Sequence, residues 1–405
     1  MSAPLSTLLL VPLAAAAAPL LGATLNRFVK IPLVVFEILL GLILGPSILG
    51  WIKVDDFTSI LADLGLAMLF FLAGNEINFA AIRGRNLNRA SVGWLISLVA
   101  GVVAGILIAP NPVAGVFIGI ALTSTALGTL MPVLRDAGEM KTPFGRAVTA
   151  IGAAGEFGPL LAISLFLSGR TPLIASIVLI AFALITGLSI LLAAKGSHHG
   201  LHRLIAATLH TSGQFAVRFV LVVIAALAVL SVVFGLDMLL GAFAAGVLCR
   251  VVLSGAASED RAAVETKLEA VGFGFLVPIF FINTGLTFDL KSLIGDPRLL
   301  LLLPIILVLL LIVRGLPGML TAPAGASWAD RRAVILFSAT GLPIIVAVTG
   351  IGVERHVLDS GTAAALIGAG MLSVLLFPLV ALAQHRRALG GVLRPPDREH
   401  VAEEA

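Results

Sequence analysis

What most constrains this chain is a succession of apolar runs, each about 17–25 residues long, separated by short breaks rich in charge, proline or glycine. A helix of that length, rising 1.5 Å per residue, crosses the roughly 30 Å hydrocarbon layer of a bilayer. The runs fill nearly all of the 405 residues and leave no stretch for a separate soluble domain. With 59% hydrophobic and only 12% charged residues, and a mean hydropathy of +1.12, the chain has too little polar surface to stay in water. The sequence predicts an all-α polytopic membrane protein.

Reading the runs between their breaks gives about thirteen spans, near 5–23, 31–50, 58–75, 90–109, 112–134, 143–168, 172–194, 214–234, 236–254, 266–286, 299–322, 331–350 and 360–384. Met1 to Ala23 is apolar without a basic start, so it reads as a retained helix rather than a cleaved signal peptide. Basic residues sort by side: about 19 fall in alternate loops and the tail, among them Arg27, Lys30, Arg83, Arg135, Arg203, Arg250, Arg386, Arg394 and Arg398, against about 5 in the others. This asymmetry predicts a cytoplasmic C-terminus, an external N-terminus and a cell (inner) membrane location. The net charge of +4 therefore speaks of orientation, not of nucleic acid. Residues 1–386 read as one membrane domain and 387–405 as a short cytoplasmic tail. The lone Cys249 permits no intramolecular disulfide.

Three short matches recur in the same order at a displacement of roughly 200 residues or slightly more. Glu37-Ile-Leu-Leu-Gly41 pairs with Asp237-Met-Leu-Leu-Gly241, Phe70-Phe71-Leu-Ala-Gly74 with Phe280-Phe281-Ile-Asn-Thr-Gly285, and Ser124-Thr-Ala-Leu-Gly128 with Ser338-Ala-Thr-Gly341. The second span runs outward and the ninth inward, so the halves form inverted five-helix repeats, an architecture of secondary transporters. Corresponding spans are interrupted: the fifth by Thr123, Ser124, Thr125 and Gly128, with Pro132 beyond, and the twelfth by Ser338, Thr340, Gly341 and Pro343. Backbone freed by such breaks must find partners in neighbouring helices or a wet cavity. The bland alternative is a pair of kinked packing helices joined by small residues.

Charges deep in a span are expensive and mark function by default. The sixth span carries Gly155-Glu156-Phe157-Gly158-Pro159, with Glu156 about 20 Å from its cytoplasmic end. The eleventh carries Arg314. A Glu156–Arg314 pair would ease both burials and balance the desolvation of a proton-exchanging carboxylate, or serve only as a fixed tie between helices. Glu37 and Asp63 either face a cavity or bond across a helix interface, Glu76 and Asp289 sit at helix ends, and Arg218 snorkels. His198, His199, His202 and His210 belong to a loop. No HExxH, CxxC, GxSxG or P-loop occurs, so enzyme chemistry is not implied.

At these residues the chain resembles the monovalent cation:proton antiporter family, in particular its bacterial sodium/proton and Kef-type potassium/proton branch. The likeness rests on Glu37 to Ser47, Phe70 to Glu76, Ala121 to Ala126 and Pro278 to Gly285, and covers essentially the whole chain. The resemblance implies a homodimer with panel helices at approximately 5–75 and 214–286, a transporting core at approximately 90–168 and 299–384, and two crossing broken helices. It implies elevator-like movement of the core, puts Glu156 at the ion-carrying acid, and matches Arg314 to a basic residue of the family. Two departures stand out: many relatives carry an acid or amide before the acid where this chain has Gly155, and the nucleotide-binding domain of Kef-type members is not expected here. No cofactor is implied.

The resulting expectation is one-for-one, electroneutral exchange of Na⁺ or K⁺ for H⁺ at Glu156, with Ser124, Thr125 and unwound backbone as further oxygens. The rivals are a symporter for an organic anion held by Arg314, and a sensor that transports nothing.

Overall fold

The computed structural model describes residues 5–25, 32–77, 82, 84–195, 214–255 and 257–388. The expectations for Arg27, Lys30, Arg83, Arg203, the histidines from His198 to His210 and the tail from 389 onward lie outside them. Where helices start follows from local chemistry. Asn111, Thr142 and Asp237 accept amides of the first turn of Pro112–Ala121, Pro143–Phe166 and Met238–Leu253, while Asp55–Thr58 and Ser327–Asp330 form reciprocal capping boxes.

The helices are α1 (Leu5–Leu25), α2 (Leu33–Leu44), α3 (Asp56–Glu76), α4 (Arg85–Ile108), α5 (Pro112–Ala121), α6 (Leu127–Asp136), α7 (Pro143–Phe166), α8 (Pro172–Lys195), α9 (Phe215–Val233), α10 (Met238–Leu253), α11 (Ser258–Val271), α12 (Val277–Leu286), α13 (Leu290–Gly295), α14 (Pro297–Leu309), α15 (Trp328–Ser338), α16 (Pro343–Glu354) and α17 (Ser360–Ala388). A π-helical turn, Gly272–Leu276, joins α11 to α12, and a second, Leu310–Gly315, continues α14.

Among the described residues, ten helical stretches are long and apolar enough to cross a membrane. Three more predicted spans contain helices too short by that measure: Leu33–Leu44, Pro112–Ala121 and Met238–Leu253. The second stops early because the chain turns at Gly45 and Pro46, and Gly50 takes φ +65°. The tenth begins at Ser258, earlier than hydropathy suggests, because Glu259, Asp260, Arg261, Glu265 and Glu269 make its first turns polar.

The packing obeys the inverted repeat. If α2 corresponds to α10 and α3 to α12, the contact of α2 with α12 must reappear as a contact of α10 with α3, and both are extensive. Each is closed by glycine against backbone. A Cβ on Gly285 would stand 2.0 Å from the Ile38 carbonyl oxygen, and one on Gly246 2.0 Å from that of Phe71. Small residues at these crossings let helices approach where lipid offers no hydrophobic drive to associate.

The fifth and twelfth predicted spans are each broken, into α5 and α6 and into α15 and α16, and the breaks meet. The Ala126 amide donates to the Thr340 carbonyl at 2.8 Å, and the Thr125 hydroxyl to the Ser338 carbonyl at 2.6 Å. The Gly341 amide donates to Ser373 Oγ on α17 at 3.1 Å. Backbone groups that would stand unpaired in lipid are satisfied by the partner break and the helices beside it.

Candidate functional site

Glu156 lies at the middle of α7, the most enclosed of the long helices. Pro159 has no N–H to give the carbonyl four residues back. That carbonyl belongs to Gly155, and it accepts the Thr125 amide at 3.0 Å. The proline thus docks α7 onto the first break. The Gly128 amide, in the first turn of α6, points at Glu156 Oε1 over a long 3.4 Å, placing the carboxylate at the positive end of a helix.

The second oxygen, Oε2, has no hydrogen-bond partner among the described residues although it is buried. Glu156 is only 4% exposed. It borders a cavity of about 560 Å³ that it shares with Glu37, Glu76, Thr129, Glu269 and Phe281 and that runs to the helix ends at Pro32, Ala137 and Arg386.

 The acidic residue of α11 on that wall is Glu269. A second cavity, of about 490 Å³, lies toward the opposite ends of α3 and α17 and is lined by Asp63, Asp237, Asp289 and Glu354. Glu156 lines the first and not the second.

Arg314 sits in the π turn after α14 and is fully buried. Its Nε donates to Thr125 Oγ1 at 2.8 Å and its Nη2 to the Ile151 carbonyl at 2.8 Å. The expected ion pair with Glu156 is therefore not formed: the guanidinium reaches the same stretch of α7 but binds neutral oxygens. The cause is Gly155, since a Cβ there would come within 2.5 Å of Thr125 Oγ1 and 2.7 Å of Arg314 Nη2. The empty space beside residue 155 is what admits the guanidinium.

The remaining predicted residues divide by role. Thr125 Oγ1 donates to Ser338 and accepts from Arg314, so both its capacities are used within the protein. Ser124 is fully buried, donates to the Ala121 carbonyl at 3.0 Å, and abuts Gly341, where a Cβ would lie 2.5 Å from its Oγ. These two residues hold the crossing, whereas Glu156, Gly128 and Pro343 border the cavity. Of the bystander acids, Glu37 opens on the cavity of Glu156 and Asp63 on the other. Glu76 ends α3 as expected but lies in the cavity wall, with Oε2 buried and unbonded among the described residues. Thr129 and Glu269 were not singled out by sequence; nothing in their local pattern marks them, because α6 and α11 come together only in the fold. Arg218 is exposed near the start of α9, as a snorkelling side chain should be.

Inverted repeats, two broken helices that meet, and a buried carboxylate on a cavity reaching one end of the bundle together define a membrane protein of the secondary-transporter architecture. The chain belongs to the sodium/hydrogen exchanger family, whose transmembrane region matches residues 14–382. It is similar to the putative Na⁺/H⁺ antiporter YjbQ of Bacillus subtilis, at 26% identity over 88% of this chain and 59% of that protein. It is also similar to the Na⁺/H⁺-K⁺ antiporter GerN of Bacillus cereus, at 27% identity over 77% of this chain and 82% of the relative. The fold resembles that of the sodium proton antiporter MjNhaP1 from Methanocaldococcus jannaschii at pH 8, with a TM-score of 0.63 and 19% identity over 94% of this chain and 96% of the other.

Proposed function

We propose that the protein exchanges Na⁺ or K⁺ for H⁺ across the cell membrane, with Glu156 carrying either ion in turn. The observation that carries this reading is the free Oε2 of a buried carboxylate on a cavity open toward one end of the molecule. An unbonded buried carboxylate is costly unless it holds a proton or a cation, and those are the two ions an exchanger must alternate. Names of similar proteins in both the sodium and the potassium sense support a monovalent cation of either kind.

The basic loops assign the end bearing Arg135 and Arg386 to the cytoplasm, so this conformation faces inward. Movement of helices near 90–168 and 299–384 against a panel near 5–75 and 214–286, within a homodimer, would bring Glu156 to the second cavity. One carboxylate serving one ion at a time makes the exchange electroneutral. The organic-anion reading loses its anchor, since Arg314 is fully buried, donates to Thr125 and Ile151, and borders neither cavity.

Proteoliposomes with a pH-sensitive dye and a panel of Li⁺, Na⁺, K⁺ and choline test the proposal. Glu156→Gln abolishes cation-driven proton flux while the protein still purifies as a folded species. Flux that survives this change refutes the assignment, and flux that responds to an imposed membrane potential refutes electroneutrality.

A further inference from the structure

Several acids at helix starts have a visible task. Asp55, Asp237, Asp289, Asp296 and Asp330 each accept an amide or hydroxyl near a helix start. Glu37 has none. It is the fifth residue of α2, only 4% exposed, and makes no hydrogen bond or ion pair among the described residues. The cavity it lines is walled also by Leu69, Pro278, Phe281 and Pro378, whose side chains offer no hydrogen-bond donor, while the donors on that wall, Thr129, Arg135 and Arg386, make no hydrogen bond or ion pair with it; the Thr129 hydroxyl donates to the Ala126 carbonyl instead. What remains to meet its carboxylate is the content of the cavity it shares with Glu156.

We propose that Glu37 is a second cation-binding carboxylate of that cavity, an antechamber that takes the monovalent cation before it reaches Glu156. Two features order the sites. Pro32 and Leu33, about one helical turn before Glu37 on the chain, line the cavity near its mouth, whereas Glu156 stands at the centre of α7. Glu156 also receives the Gly128 amide and Glu37 receives none. A carboxylate without donors of its own gains most from a cation that brings its own charge. Glu37 holds the ion weakly and releases it inward.

This inference rests on the exchange reading above, and two measurements separate their failures. In proteoliposomes, Glu37→Gln raises KM for the transported cation by about tenfold with kcat largely kept, and Glu37→Asp restores most of the loss. A purely structural glutamate would lower the yield of folded protein or kcat and leave KM unchanged, and that result overturns the proposal. Independently, thermal unfolding in detergent is followed with Na⁺, K⁺ or choline. Protection by Na⁺ or K⁺ over choline persists in Glu156→Gln and disappears in the Glu37→Gln/Glu156→Gln double variant. Equal protection in both variants overturns the antechamber even if the wild-type protein proves to carry no flux; absence of wild-type flux alone sinks the exchange reading and leaves the binding comparison to decide.

Discussion

Gly155 matters for the space its missing side chain leaves. Arg314 and Thr125 occupy that space, and the bonds from Arg314 to Thr125 and Ile151 tie α14, the first break and α7 into one unit. Gly155→Asp is expected to lower stability by about 1–3 kcal/mol through overpacking, read as a drop in detergent melting temperature. Thr125→Val leaves the Arg314 Nε and the Ser338 carbonyl without their partner in a buried site, and is expected to cost about 1–3 kcal/mol on the same measurement. Glu156 behaves otherwise: its Oε2 has no protein partner to lose, so Glu156→Gln should leave the melting temperature near that of the parent while flux stops.

Among the elements, the two breaks depend on each other and on α7 and α17. Pro159→Ala supplies an amide that competes for the Gly155 carbonyl, so it weakens the hold of α7 on Thr125; slower exchange at an unchanged melting temperature is the expected outcome. A different tie secures the end of α17. His385 stacks on Phe144 at 3.8 Å between ring centres, and its Nδ1 lies 2.7 Å from Asp330 Oδ1 at the start of α15. Its Nε2 is 3.1 Å from Glu139 Oε1, close enough for charge but not aligned as a hydrogen bond. His385→Ala removes the ring and leaves the two acids without their common neighbour, an expected loss of about 1–3 kcal/mol seen in thermal unfolding.

At the scale of the whole molecule, two cavities at opposite ends are separated by packed side chains, and Phe280 and Phe281 face one each. Access should therefore be one-sided. In this conformation, Thr129→Cys is expected to react with a membrane-impermeant thiol reagent from one side of the membrane, and Asp63→Cys from the other. The native Cys249 is buried and adds little background. Labelling of both positions from the same side would contradict the arrangement.

The sequence by itself determined the membrane class, the order of the apolar spans, the paired breaks and the position of Glu156 within its helix. Each of these depends on hydropathy, charge or glycine and proline chemistry over a few neighbouring residues, and such information is local. Only the tertiary structure decided that Arg314 binds Thr125, 189 positions away, instead of Glu156. It also decided that Glu37 and Glu156 share a cavity while Asp63 lines another. These outcomes turn on where helices remote in the chain are brought together, and on the absence of one Cβ at residue 155, whose effect is felt only by side chains that the fold delivers to it.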